Sequence, residues 1–181
     1  MNAFTIGEGW TLFLDRDGVI NHEVHLNYVN TLEEFKFYEG AKEAFKIFAA
    51  RFKHIIIVTN QRGVGRGITT IENLDLIHQA MVSAVTDYGG RIDEVYFAAE
   101  LDIDSPNRKP KTGMALQAQK KFPAIDFSKS IMVGNNISDM EFGNNIGAKT
   151  VLLLTTMATV PPALTYLDAT YNSLAEFAAA L

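Results

Sequence analysis

Two stretches of this chain are apolar without alternation, Ile55-Ile56-Ile57-Val58 and Val151-Leu152-Leu153-Leu154. A strand with one wet face alternates apolar and polar residues. An unbroken apolar run of strand length predicts instead a strand covered on both faces, inside a parallel sheet flanked by helices. Runs of strand composition occur at Trp10–Leu14, His54–Val58, Glu94–Phe97, Ser130–Val133 and Thr150–Leu154, with a weaker one at Ala169–Tyr171. Helical patterns lie between them. Ala41, Ala44, Phe45, Phe48, Ala49 and Phe52 form one apolar stripe; Ile71, Leu74, Ile77, Met81 and Val85 form a second. Further helices are expected over 113–121, from Ser138 to Ile146 and from Ser173 to Ala180. The last two open with Ser-x-x-Glu capping patterns, Ser138/Glu141 and Ser173/Glu176. Strands alternating with helices predict right-handed βαβ units and a Rossmann-like, three-layer α/β fold with a mostly parallel central sheet.

The chain has 181 residues, 48% hydrophobic and 20% charged, without a linker that would divide it, so one domain over 1–181 is expected. A net charge of −5 gives no general attraction for nucleic acid or an anionic membrane. The absence of cysteine excludes disulfides, a thiolate nucleophile and thiolate metal sites. Met1-Asn2-Ala3-Phe4-Thr5 lacks a basic region leading into an apolar core, and no apolar run approaches the ~20 residues that span a bilayer. The expectation is a soluble cytoplasmic protein. The sequence carries no indication of its oligomeric state.

In a sheet of this kind ligands bind beyond the carboxyl ends of the strands, so the residues that follow each strand carry the functional reading. After the first come Asp15-Arg16-Asp17-Gly18. Two carboxylates so close repel unless a cation offsets them. They read either as a solvated turn or as an Mg2+-binding pair, one a nucleophile and the other a proton-transfer group. After the second come Thr59-Asn60-Gln61 and a glycine-rich loop with Arg62 and Arg66, suited to an oxyanion but without the P-loop pattern. After the third, Arg108, Lys109 and Lys111 are either a solvated basic cluster or neutralise charge in phosphoryl transfer. After the fourth, Gly134-Asn135-Asn136-Ile137-Ser138-Asp139 offers oxygen donors and, equally, a helix start.

Together these segments resemble the haloacid dehalogenase (HAD) superfamily of phosphohydrolases, in the branch of heptose-bisphosphate and histidinol phosphatases. Phe13 through Asn21 is similar to its first motif; Val58-Thr59-Asn60-Gln61 with Gly63, Arg66 and Gly67 to its second. Arg108-Lys109-Pro110 with Gly113-Met114 is similar to the third, and Met132 through Asp139 with Gly143 and Gly147–Thr150 to the fourth. The resemblance implies an Mg2+-dependent phosphatase of a small phosphorylated metabolite, such as a sugar phosphate or histidinol phosphate. Asp15 would be the nucleophile, and Asp17 the acid and base. Lys109 would anchor charge, and Thr59, Asn60 and Gln61 would hold phosphate. Arg108 would meet a more distal group. Asp15, Asp17, Asn135 and Asp139 would surround Mg2+. Neither gap between the first three motifs has room for a cap domain, so the site should be open. Residues 22–30, with His22, Glu23, His25 and Tyr28, are then the expected specificity loop, Glu23 and Tyr28 its substrate contacts.

The chain departs from the family twice. The loop 97–107 has none of the Cys and His ligands of the branch's zinc site, so no zinc is expected. Asn135-Asn136 stands where the branch has Asp-Lys, which weakens the expected metal affinity and keeps a second reading open, a catalytically weakened or non-catalytic phosphometabolite-binding protein.

Overall fold

A computed structural model describes residues 4–24, 27–162 and 164–181. Six strands, β1 (Thr11–Leu14), β2 (His54–Asn60), β3 (Glu94–Ala98), β4 (Ser130–Gly134), β5 (Lys149–Leu153) and β6 (Ala169–Tyr171), form one sheet in the order β3-β2-β1-β4-β5-β6. Every neighbouring pair is parallel. The helices are α1 (Ala41–Arg51), α2 (Arg62–Gly65), α3 (Ile71–Asp87), α4 (Gly113–Lys121), α5 (Ile137–Ile146) and α6 (Leu174–Ala179).

The unalternated runs behave as parallel-sheet physics requires. Ile55, Ile57, Val151 and Leu153 enter one core with Leu12, Leu14 and Val133, packed by Phe45 and Phe48 of α1, Ile77 and Met81 of α3 and Phe177 of α6. Ile56 and Val58 point the other way, into a second core with Phe13, Met132, Met114 and Ala118 of α4 and Phe142 of α5. Each apolar strand is thus wetted on neither face, and no helix among the described residues is long and apolar enough to cross a membrane.

Two local expectations need correction. β2 runs two residues further than its apolar stretch, carrying Thr59 and Asn60 within the sheet. Helix α5 begins one residue before Ser138, and its cap is Asn136, not Ser138. Asp139 decides this: its Oδ2 accepts the Asn135 and Asn136 amides at 3.2 and 3.0 Å, anchoring the first turn from inside. The Ser173 cap of α6 matches its pattern, with the Glu176 amide donating to Ser173 Oγ at 3.1 Å. The order reverses between β1 and β4, whose register places Leu14 beside Val133, so the residues after both strands meet in the crevice where such folds bind ligands.

Candidate active site

Asp15 leaves β1 with its amide donating to the Val133 carbonyl at 3.0 Å, which ties the end of β1 to β4. Lys109, buried at 3% exposure, reaches it from the loop after β3. Its Nζ lies 2.9 Å from Asp15 Oδ1 and 2.6 Å from Asp139 Oδ1, and donates to the Val58 carbonyl at 2.7 Å. Burial pushes the Asp15 carboxyl up to about 6; the Lys109 ammonium pulls against that, and the Asp139 and Asp17 carboxylates add to it. Burial acts to lower Lys109, but the Asp139 and Asp15 carboxylates hold it above its usual value. The lysine is therefore a fixed cation between two acids that could not otherwise share this space.

Asp17 sits in a different net. Its carboxylate takes a two-pronged bond from the fully buried Arg16 guanidinium, with Nη2 at 2.8 Å from both oxygens. Asn21 Nδ2 and Gln61 Nε2 each donate at 2.8 Å. Burial acts upward on Asp17, but the Arg16 charge and these hydrogen bonds hold it below the usual carboxylate range. Behind Arg16, Nη1 lies 3.1 Å from His78 Nε2. A guanidinium can only donate, so Nε2 accepts and the His78 proton resides on Nδ1. Burial and the neighbouring Arg16 charge push His78 down to about 3, with Asp17 opposing, so it is neutral at physiological pH.

Above these groups opens a cavity of about 260 Å³, lined by Asp15, Asp17, Thr59, Asn60, Lys109 and Asp139, with Glu23 and Tyr28 on its rim loop. The structure therefore gathers most of the residues singled out from the sequence, but it gives several of them other partners. The Asn60 amide is engaged with the Lys109 backbone, Oδ1 accepting its N–H at 3.0 Å and Nδ2 donating to its carbonyl at 3.1 Å. Gln61 does not line the cavity: it is turned inward, donating to Asp17 and, at 2.9 Å, to Thr59 Oγ1. Both Asp139 oxygens are occupied, by Lys109 and by two backbone amides, so its place is as the anchor of Lys109 rather than as an unengaged metal ligand. Arg108 stands outside the cavity, its guanidinium on the Leu101 carbonyl. It lines an adjoining cleft of about 560 Å³ with Arg62 and Lys111, and Asn60, Lys109, Asn136 and Ser138 border both spaces.

Asn135 is fully buried, directly after β4 and against Gly18. Its Nδ2 donates to Thr156 Oγ1 at 3.0 Å, and its Oδ1 has no hydrogen-bond partner among the described residues. The amide packs over Gly18, whose φ of +79° needs glycine and whose Cβ, if added, would lie 2.1 Å from Asn135 Nδ2. Tyr28 is braced by Arg66, whose Nη1 donates to its hydroxyl at 2.8 Å. His22 stacks on Tyr38 at 4.0 Å between ring centroids, away from the cavity lining. His25 lies outside the described residues.

Sequence reasoning assigned no role to Arg16, Asn21, Thr155 or Thr156. Arg16 and Asn21 lie inside the first motif, and a cation between two acids was a signal for the former. Thr155, whose hydroxyl donates to the Gly18 carbonyl at 2.5 Å, and Thr156 follow β5 in a loop with no motif.

A family model described as HAD-hydrolase-like matches residues 106–176. The chain is 33% identical over 182 aligned positions to D-glycero-alpha-D-manno-heptose-1,7-bisphosphate 7-phosphatase of Mycobacterium bovis, covering 100% of this chain and 96% of that protein. It is 34% identical to D-glycero-beta-D-manno-heptose-1,7-bisphosphate 7-phosphatase of Yersinia pestis, covering 94% of each. Among solved structures, D,D-heptose 1,7-bisphosphate phosphatase from B. bronchiseptica, complexed with magnesium and phosphate, superposes with a TM-score of 0.82 at 25% identity, covering 94% of this chain and 96% of that one. The strand order, the open cavity at the β1/β4 reversal and these whole-chain similarities agree: the chain is a phosphomonoester-hydrolysing member of the HAD-like hydrolases and belongs to their heptose-1,7-bisphosphate phosphatase branch.

Proposed function

We propose that this protein removes one phosphate from a heptose bisphosphate, with Asp15 as nucleophile. The observation that carries the reading is the Asp15 carboxylate at the mouth of β1, buried, 2.9 Å from the Lys109 ammonium and facing the cavity that Thr59 also lines. Asp15 attacks phosphorus, and the bond from phosphorus to the sugar oxygen breaks. The departing oxygen takes its proton from Asp17. Water then attacks the aspartyl phosphate and returns a proton to Asp17, the phosphorus–Asp15 bond breaks, and inorganic phosphate leaves. In the structure Asp17 is held as a carboxylate by Arg16, the form that accepts a proton from water. Donating one requires Asp17 to turn away from the arginine fork first. Lys109 offsets charge on the phosphoryl oxygens, and Asp139 holds Lys109 in place.

The donor set fits Mg2+, a hard cation that takes oxygen ligands. The Asp15 carboxylate, the Asp17 backbone carbonyl and the buried Asn135 Oδ1 would hold it; among the described residues Asn135 Oδ1 has no hydrogen-bond partner and the Asp17 carbonyl accepts none of the backbone hydrogen bonds of its loop. When bound, Mg2+ supplies positive charge that screens nucleophile from phosphate and polarises the phosphoryl group. The cleft beside the cavity, where Arg62, Arg108, Lys109 and Lys111 outnumber Glu141 and the Asp104 that pairs with Lys111 at 3.1 Å, supports a second anionic group on the substrate, as in a bisphosphate.

The test is phosphate release from the alpha and beta heptose 1,7-bisphosphates, histidinol phosphate and an aryl phosphate, with Mg2+ titrated. The expected result is Mg2+-dependent release, fastest from a heptose bisphosphate and lost in Asp15→Asn. Preference for histidinol phosphate would overturn the substrate, and full activity in Asp15→Asn would overturn the mechanism.

A further inference from the structure

An asparagine can serve a metal only through its single carbonyl oxygen; rotated by half a turn, it presents an NH2 group that repels the cation. An aspartate has no such choice to make. Whatever fixes the Asn135 amide therefore decides whether it can ligate at all. Gly18 packs against the amide on one side, and on another Thr156 Oγ1 stands 3.0 Å from Nδ2. Nδ2 is the amide atom that faces this hydroxyl, and the Asn135 backbone carbonyl, 3.5 Å away at the outer limit of hydrogen-bond reach, can take the hydroxyl proton. The hydroxyl lone pair then faces the side chain, where only an N–H is compatible. Nδ2 is thereby held on Thr156, and Oδ1 is left buried and without a partner among the described residues.

We propose that Thr156 is a positioning residue for the metal site: its hydroxyl, accepting from Asn135 Nδ2, holds the amide with Oδ1 free for Mg2+. The inference rests on Asn135 being an Mg2+ ligand. It explains how a site with a neutral residue beside Asp15 keeps a directed oxygen. Thr156 is at the surface, so exchanging its side chain leaves the cores untouched.

The experiment titrates MgCl2 and reads the unfolding temperature of the substrate-free protein, which reports Mg2+ binding without turnover. Thr156→Val keeps the volume and bars a water from the hydroxyl position. It is expected to raise the Mg2+ midpoint about 10-fold, in the range found when an outer partner of a metal ligand is removed. Thr156→Ser restores the hydroxyl and is expected to keep the wild-type midpoint. In Asn135→Asp, whose two oxygens are equivalent, adding Thr156→Val should shift the midpoint less than twofold. An unchanged midpoint in Thr156→Val, or an equal loss in the Asn135→Asp background, would overturn the inference while leaving Asn135 as a ligand. A wild-type protein with no Mg2+ response, or an Asn135→Ala variant with an unaltered one, would overturn the ligand reading and the inference with it.

Discussion

His78 makes acid stability a direct probe of the arrangement beneath the site. The ring is buried at 7% exposure with Nε2 against the Arg16 guanidinium, and burial and that charge push its pKa down to about 3. In the unfolded chain it titrates near 6.5. A group whose pKa is depressed on folding supports the fold fully above its unfolded value, and that support is lost as pH falls toward the folded one. For His78 the window runs from 6.5 down to about 3. The protonation difference costs only about 0.2 kcal/mol at pH 7, about 2 kcal/mol at pH 5 and about 4 kcal/mol at pH 3.

The perturbation is His78→Gln, whose amide oxygen can still accept from Arg16 but cannot take a proton. Urea unfolding at pH 7 and pH 5 measures the change in both proteins. Wild type is expected to lose about 2 kcal/mol more than the variant between the two pH values. Other titrating groups, Asp15 among them, are common to both and cancel in the difference. Equal losses would refute the reasoning, because they would mean that His78 is hydrated or protonated without penalty and is not the acceptor for Arg16.

Three further outcomes follow from the same geometry. Lys109→Met leaves Asp15 and Asp139 buried without their shared cation and is expected to cost about 3–5 kcal/mol at neutral pH; because the ammonium that lowers the Asp15 pKa is gone, the variant's carboxyl takes its proton before the wild type's does, so the deficit should narrow in urea titrations as pH falls toward 6 and change little below it. Gly18→Ala places a methyl 2.1 Å from Asn135 Nδ2 at a φ of +79°; beyond about 1–2 kcal/mol of backbone strain it should displace Asn135 and abolish the Mg2+-dependent rise in unfolding temperature. Thr70 caps α3 through the Asn73 amide at 3.1 Å, so Thr70→Ala should cost about 1 kcal/mol in thermal unfolding and leave phosphate release unchanged.

Much of this molecule is legible in the sequence because its strands announce themselves. Ile55 through Val58 could be unbroken only if both faces were covered, and the structure sends alternate members into opposite cores. Asp15, Asp17, Thr59 and Lys109 could be picked out because each lies at or beyond the carboxyl end of an apolar run, and a parallel sheet brings all its carboxyl ends to one edge. What the sequence hides is direction. Gln61 reads as a phosphate contact, yet its amide faces inward to Asp17. Asn136-x-x-Asp139 and Ser138-x-x-Glu141 are overlapping cap signals, and nothing local chooses between them. The choice is made by Lys109, from a distant loop, whose charge fixes Asp139 against the start of α5. Thr156 was invisible for a similar reason: its partner lies one strand, one helix and a chain reversal away.

The charges on the cavity wall also set an order of binding. Asp15, Asp17, Glu23 and Asp139 face the cavity against Lys109, with Arg16 tied up behind Asp17. A phosphate dianion entering this space meets more carboxylates than cations, and the lysine is already shared between two of them. Inorganic phosphate alone should therefore raise the unfolding temperature little. Once Mg2+ is present the balance changes sign near Asp15, and phosphate should stabilise strongly. The coupling must be reciprocal, phosphate tightening Mg2+ by the same factor that Mg2+ tightens phosphate. A factor of about 10, or about 1.4 kcal/mol, is a conservative expectation for two opposite charges brought together in a partly buried site. Thermal unfolding over a grid of MgCl2 and phosphate concentrations measures it. Phosphate stabilisation of equal size with and without Mg2+ would show that Lys109 and the neighbouring arginine cleft suffice to bind the anion, and that the carboxylates at the mouth of β1 and β4 do not govern its entry.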